Sequence, residues 1–103
     1  GHMYDNGEGV PVDDATAVKW YRKAAEQGVP DSQNNLGLMY ARGRGVPEDN
    51  VMAYMWLNLA AAQGYENAKN NKDIVQKSMT PADISKAQKL SRECLAKDYK
   101  NCG

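Results

Sequence analysis

Histidine is confined to one position, His2, and phenylalanine does not occur at all in this chain of 103 residues. His2 stands in Gly1-His2-Met3, which reads as the scar of a removed tag followed by a start methionine, so residues 1–3 are set aside. The remainder has no histidine, and acid–base catalysis and many metal sites lose their usual residue. No apolar run nears the ~20 residues of a membrane-spanning helix, which excludes membrane insertion. Neither sign of charge is in excess: 13 Lys+Arg face 13 Asp+Glu. Nucleic-acid binders usually carry a basic surplus, so the expected partner is not a nucleic acid. Cysteine occurs only as Cys94 and Cys102. What remains is a chain 42% hydrophobic, with six Tyr and two Trp, which is ordinary for one small globular domain.

The chain repeats itself. Shifted by 36 residues, positions 4–35 align with 40–71 without a gap, and 14 of the 32 pairs are identical. They include Gly7/Gly43, Gly9/Gly45, Pro11/Pro47, Asp13/Asp49, Trp20/Trp56, Gln27/Gln63, Gly28/Gly64, Asn34/Asn70 and Asn35/Asn71. A period in this range means stacked supersecondary units.

Each unit reads as helix, tight turn, helix. Between Asp49 and Gln63 the residues Ala53, Trp56, Leu57, Ala60 and Ala61 fall on one helical face. Asp49 is the expected N-cap and Gly64 the left-handed residue past the end. The earlier copy runs from Asp13 to Gln27, with Gly28 behind it and Ala17, Trp20, Tyr21, Ala24 and Ala25 on its face. A partner helix is expected from Asp31, as N-cap, to about Arg42, with Leu36, Gly37 and Tyr40 inward. A mid-helix glycine costs roughly 1 kcal/mol relative to alanine, so Gly37 is expected where the next helix comes close. No segment shows the period-two alternation of a strand.

The pattern Leu36-Gly37…Tyr40…Gly43-x-Gly45-Val46…Asp49…Ala53…Trp56…Ala60-Ala61…Gly64 resembles the Sel1-like repeat, a relative of the tetratricopeptide repeat. The resemblance implies an all-α fold, a right-handed α/α solenoid of helix–turn–helix repeats closed by a C-terminal capping helix. Its boundaries are a partial repeat over 4–28, lacking most of its first helix, a complete repeat over 29–64, and a degenerate repeat with cap over 65–103. In the degenerate unit Lys72 and Asp73 replace Leu36 and Gly37. Thr80 (N-cap), Pro81 (N1) and Asp83 then open a last helix reaching about Lys97. Its expected stripe is Ile84, Ala87, Leu90, Cys94 and Leu95, with Lys86, Lys89, Arg92 and Lys97 facing away. This ending is similar to that of many bacterial Sel1-like proteins.

Chemistry-bearing residues have plainer roles in this frame. The Gly-x-Gly turns lack the strand, third glycine and Gly-Lys-Ser/Thr of a phosphate loop and are turns. Asp13 and Asp49 recur at helix starts, as caps do, and a catalytic pair would not be copied in each unit. Trp20 and Trp56 are expected to fill space between stacked helices rather than stack on a ligand. The basic residues of the last helix are diluted by Asp83, Glu93 and Asp98, as on a solvated face.

Cys94 and Cys102 have no histidine to activate them, and two ligands make a poor zinc site. The Cys-rich branch of the family places disulfides with the same separation at the junction between helices. The resemblance therefore implies a Cys94–Cys102 bridge, with free structural thiols as the alternative. A bridge would place the chain in an oxidising compartment, periplasmic or secreted, and free thiols would fit the cytoplasm. No signal peptide is visible, but a chain that starts inside a repeat could have lost an upstream one.

The first helix of each pair lines the concave face in this family. The expected binding stripe is Asn34, Leu38 and Arg42, continued one period on by Asn70 and Ile74, with the amides meeting a peptide backbone and the apolar residues seating side chains. The implied function is a non-catalytic scaffold for a protein or peptide, with no cofactor and no metal. The alternatives are self-assembly through the exposed face of helix 13–27, giving a homo-oligomer, and a cell-wall or β-lactam hydrolase as suggested for Cys-rich members.

Overall fold

A computed structural model describes residues 13–102. The scar, the segment Tyr4–Gly7 and the first Gly-x-Gly turn lie outside the described residues. Five helices follow one another: α1 Asp14–Glu26, α2 Pro30–Arg42, α3 Asn50–Ala62, α4 Glu66–Gln76 and α5 Pro81–Ala96. There is no strand among the described residues. The period is kept in three dimensions, since α1 and α2 begin 36 residues before α3 and α4.

The helix ends follow from local chemistry. Asp13 accepts from the Ala15 and Thr16 N–H groups, and Asp49 from those of Val51 and Met52. Gly28, Gly43 and Gly64 hold positive φ beyond the ends of α1, α2 and α3. At each, two N–H groups fold back on the last carbonyls, as in Gly28 to Ala25 and Val29 to Ala24. Asp31 is not the cap of α2. Val29 holds that place without a side-chain bond, and Pro30 occupies the first turn. The reason is that Gly28 already turns the chain and the fixed φ of proline starts the next helix at once. Thr80 accepts from the Asp83 N–H, the N-cap half of the expected box.

The core centres on α3, which packs against α2, α4 and α5. Ala53, Tyr54, Met55, Trp56, Leu57, Leu59, Ala60 and Ala61 are all buried there. α2 comes close enough that a Cβ on Gly37 would lie 2.8 Å from Leu57 Cγ and 3.0 Å from the Ala53 carbonyl oxygen. The expected role of Gly37 as a point of close approach is what the structure contains.

Two core expectations are corrected. Trp20 is 55% exposed, whereas its repeat counterpart Trp56 is 1% exposed. Among the described residues three helices surround α3, while α1 packs mainly on α2, so Trp20 has fewer described neighbours than Trp56. Its ring carries the Lys23 ammonium 5.0 Å from the centroid. In α5, Leu95 is exposed and Ser91 is buried in line with Ala87 and Cys94. The Ser91 hydroxyl donates to the Ala87 carbonyl within the same helix at 2.9 Å, which removes the cost of burying it.

Candidate interaction face

α2 and α4 lie side by side, and Asn71 donates to the Asn34 side-chain oxygen at 2.9 Å across the seam. Of the expected stripe, Asn34 is therefore buried and hydrogen-bonded rather than presented to a partner. Asn70 and Ile74 are exposed on α4, Ile74 strongly. Leu38 and Arg42 stand on the other flank of α2, across from α1. The structure thus brings Leu38 and Arg42 together and leaves Asn70 and Ile74 apart from them.

Leu38 and Arg42 line a groove of about 250 Å³ with Asn35 and Met39 of α2, Asp14, Ala17 and Tyr21 of α1, and Arg44 of the turn. Arg44 fixes one rim, since its guanidinium pairs with both carboxylate oxygens of Asp14 at 3.1 and 3.2 Å. Gly45 is what allows this. A Cβ there would lie 2.5 Å from the Asp14 carbonyl oxygen and 2.9 Å from Val18 Cγ2, so the turn packs directly on the start of α1. Near that start, the Thr16 hydroxyl and N–H donate to the Asp13 carboxylate and hold its pKa below the usual 3.8. Between α1 and α2, Arg22 donates to the Tyr40 hydroxyl at 2.6 Å. The arrangement offers apolar contact, a cation at Arg42 and an amide at Asn35.

Away from the groove, a polar network joins the repeats. Gln33 is fully buried and donates to the Ala25 carbonyl at 3.1 Å. Gln63 donates to the Gln33 side-chain oxygen and to the Gly28 carbonyl, each at 3.0 Å. Sequence reasoning missed this network, although the Gln27/Gln63 identity marked Gln63 as a repeated position.

Cys94 and Cys102 form a disulfide. The tail it ties meets the junction between α1 and α2: the Tyr99 ring lies against Gly28, and the Lys100 ammonium donates to the Glu26 carbonyl. Asp98, Tyr99 and Asn101 all adopt positive φ, which bends the tail into this path.

Comparison with known proteins agrees with this architecture. The Sel1 repeat family model matches residues 1–29 and 30–65. The crystal structure of a protective antigen present in uropathogenic Escherichia coli strains, displaying an SLR fold, superimposes with a TM-score of 0.87 at 32% identity, covering 98% of this chain and 22% of that one. A Sel1 repeat protein from Oxalobacter formigenes superimposes with a TM-score of 0.64 at 41% identity, over 69% of this chain and 29% of that one. The chain thus spans less than a third of the length of either solved relative. No curated protein matches.

Proposed function

This chain belongs to the Sel1 repeat family, whose members are in general protein–protein interaction modules, and on that premise we propose that it holds a peptide or partner protein against the face of α2. The observation that carries this reading is the groove that joins Leu38 and Arg42 to Ala17 and Met39. It combines apolar surface with a side-chain amide and a cation, the mixture that seats a peptide. Asn70 and Ile74 stand apart from this groove, exposed on α4, and are outside the proposed contact.

The role is that of a scaffold rather than an enzyme. Both cysteines are in the disulfide, so neither offers a nucleophilic thiol. The same bond favours an oxidising compartment, periplasmic or secreted. No helix among the described residues is long and apolar enough to cross a membrane. A second reading, self-association through α1 into a homo-oligomer, draws support from the exposed Trp20 ring.

The test is a crosslinking capture from periplasmic and cytoplasmic extracts kept apart, with the Leu38→Ala/Arg42→Ala variant beside the parent chain. One protein captured from the periplasmic extract and lost with the variant supports the reading. Capture unchanged by the variant overturns it, and recovery of the bait alone transfers the argument to self-association.

A further inference from the structure

The tail after α5 begins as a repeat junction and then leaves that path. The Asp98 and Tyr99 N–H groups donate to the Leu95 and Cys94 carbonyls, as those of Gly28 and Val29 do to the Ala25 and Ala24 carbonyls. Asp98 thus holds, at φ 56°, the left-handed place that Gly28 and Gly64 hold. At Val29 and Tyr65 the chain turns extended, at φ −73° and −78°, and enters the next helix. At Tyr99 it stays left-handed, at φ 66°. Aspartate and asparagine enter that region several times more often than other residues, and a bulky aromatic residue is an outlier there. Tyr99 is held from both sides. Cys102 is tied back to Cys94, the ring lies against Gly28, and the Lys100 ammonium reaches the Glu26 carbonyl 74 residues away. Because α5 packs on α3 and α1 on α2, this tail links the last helix to the α1–α2 junction.

The two sulfurs differ in access and in surroundings. Cys94 is fully buried, in line with Ala87 and Ser91, while Cys102 is only partly buried. Cys94 also lies in the last turn of α5, where burial and the carbonyl end of the helix both disfavour negative charge. The Lys97 ammonium donates to the Asn101 carbonyl at 3.1 Å, which keeps a cation beside the Cys102 end of the bridge.

We propose that the Cys94–Cys102 bond is a redox latch, opened by a dithiol at Cys102, that fastens Tyr99 and Lys100 on the α1–α2 junction. One thiolate of the dithiol attacks Cys102 Sγ, the sulfur within reach. The Cys94–Cys102 bond breaks, and its electron pair goes to Cys94 Sγ, which takes up a proton. The second thiol, as thiolate, attacks the dithiol's own sulfur in the mixed disulfide and expels Cys102, which takes up the other proton. The dithiol is oxidised to its disulfide, and the chain gains two electrons and two protons. Freed of the bridge, Tyr99 leaves its left-handed conformation and the tail lets go of Gly28 and Glu26. The coupling is reciprocal: as the bridge holds the two contacts, the contacts hold the bridge closed. The inference stands apart from the scaffold reading above.

The experiment has two arms. In the first, the single thiols left by Cys94→Ser and Cys102→Ser react with dithiodipyridine, a small aromatic disulfide. Cys102 should react roughly tenfold faster than Cys94, and equal rates or a faster Cys94 overturn entry at Cys102. In the second, the parent chain and the Tyr99→Ala/Lys100→Ala variant are equilibrated with mixtures of reduced and oxidised dithiothreitol. The variant should reach half reduction at a dithiol-to-disulfide ratio about fivefold lower. An unchanged midpoint, or Gly28 and Val29 amide resonances that stay in place when the parent chain is reduced, overturns the latch.

Discussion

Asn71 donates to Asn34 across the α2–α4 seam, and the two residues belong to the same repeated dipeptide, 36 positions out of step by one. Residue 34 of one unit accepts what the counterpart of residue 35 in the next unit donates. The Asn-Asn pair is therefore a connector with two ends, which explains why both residues recur. Among the described residues this leaves Asn35, in the groove, without an acceptor, and Asn70 exposed on α4.

Gly37→Ala should destabilise the fold although alanine is the better helix former. The propensity gain is about 1 kcal/mol. Against it, the new methyl would lie 2.8 Å from Leu57 Cγ, in a side chain that is fully buried, and 3.0 Å from a backbone oxygen. Overpacking of that kind costs about 1–3 kcal/mol, so the urea midpoint should fall, and a rise would show that α2 can move away from α3.

Gln33→Leu should cost about 1–3 kcal/mol in the same assay, because two side-chain hydrogen bonds of about 0.5–1.5 kcal/mol each are lost. The Ala25 carbonyl would lose its side-chain donor, and Gln63 would lose its Gln33 acceptor. Stability unchanged within error would mean that water replaces the glutamine.

Reducing the Cys94–Cys102 bond should lower the melting temperature and free the tail. Chain-entropy arguments give roughly 2–3 kcal/mol for a loop of this size. Tyr99 should then leave Gly28, visible as new resonance positions for Gly28 and Val29 in the reduced protein. If those amides stay in place, Lys100 on the Glu26 carbonyl suffices to hold the tail.

Lowering the pH should loosen the start of α1 before the core responds. The folded-state pKa of Asp13 lies below 3.8, with the Thr16 hydroxyl bond as its largest cause. A depressed carboxylate pKa stabilises the fold above the unfolded value, and that contribution is lost as pH falls through the folded value. Amide exchange at Ala15 and Thr16 should accelerate across that window, and Asp13→Asn should flatten the dependence.

Trp20 and Trp56 should separate in fluorescence. Acrylamide should quench Trp20 readily and Trp56 hardly, given exposures of 55% and 1%. Trp20→Gln should leave folding stability within about 0.5 kcal/mol, as for a surface site. It should also remove concentration-dependent sedimentation if α1 self-associates.

Periodicity alone determined much of this protein. Identical residues 36 apart located the helices, and the glycine, aspartate and proline positions located most of their ends, because those signals act through the local backbone. Gly37 was legible for the same reason: a costly residue in a helix needs a neighbour to explain it.

What the period could not say is which copies of a position are covered. Trp20 and Trp56 are the same letter in the same register, and burial differs because, among the described residues, more helices pack around α3 than around α1. Asn34 points into a seam and Asn35 into a groove, though the sequence writes them alike. Ser91 and Gln33 are buried because hydrogen bonds satisfy them, a condition no hydrophobic pattern records. Leu38 and Arg42 share a groove, and Ile74 stands apart from it, because side-chain neighbours across the seams are set by helix packing. Local sequence fixes dihedral angles and helix ends, but burial and contact depend on every element packed nearby, so only the tertiary structure decides them.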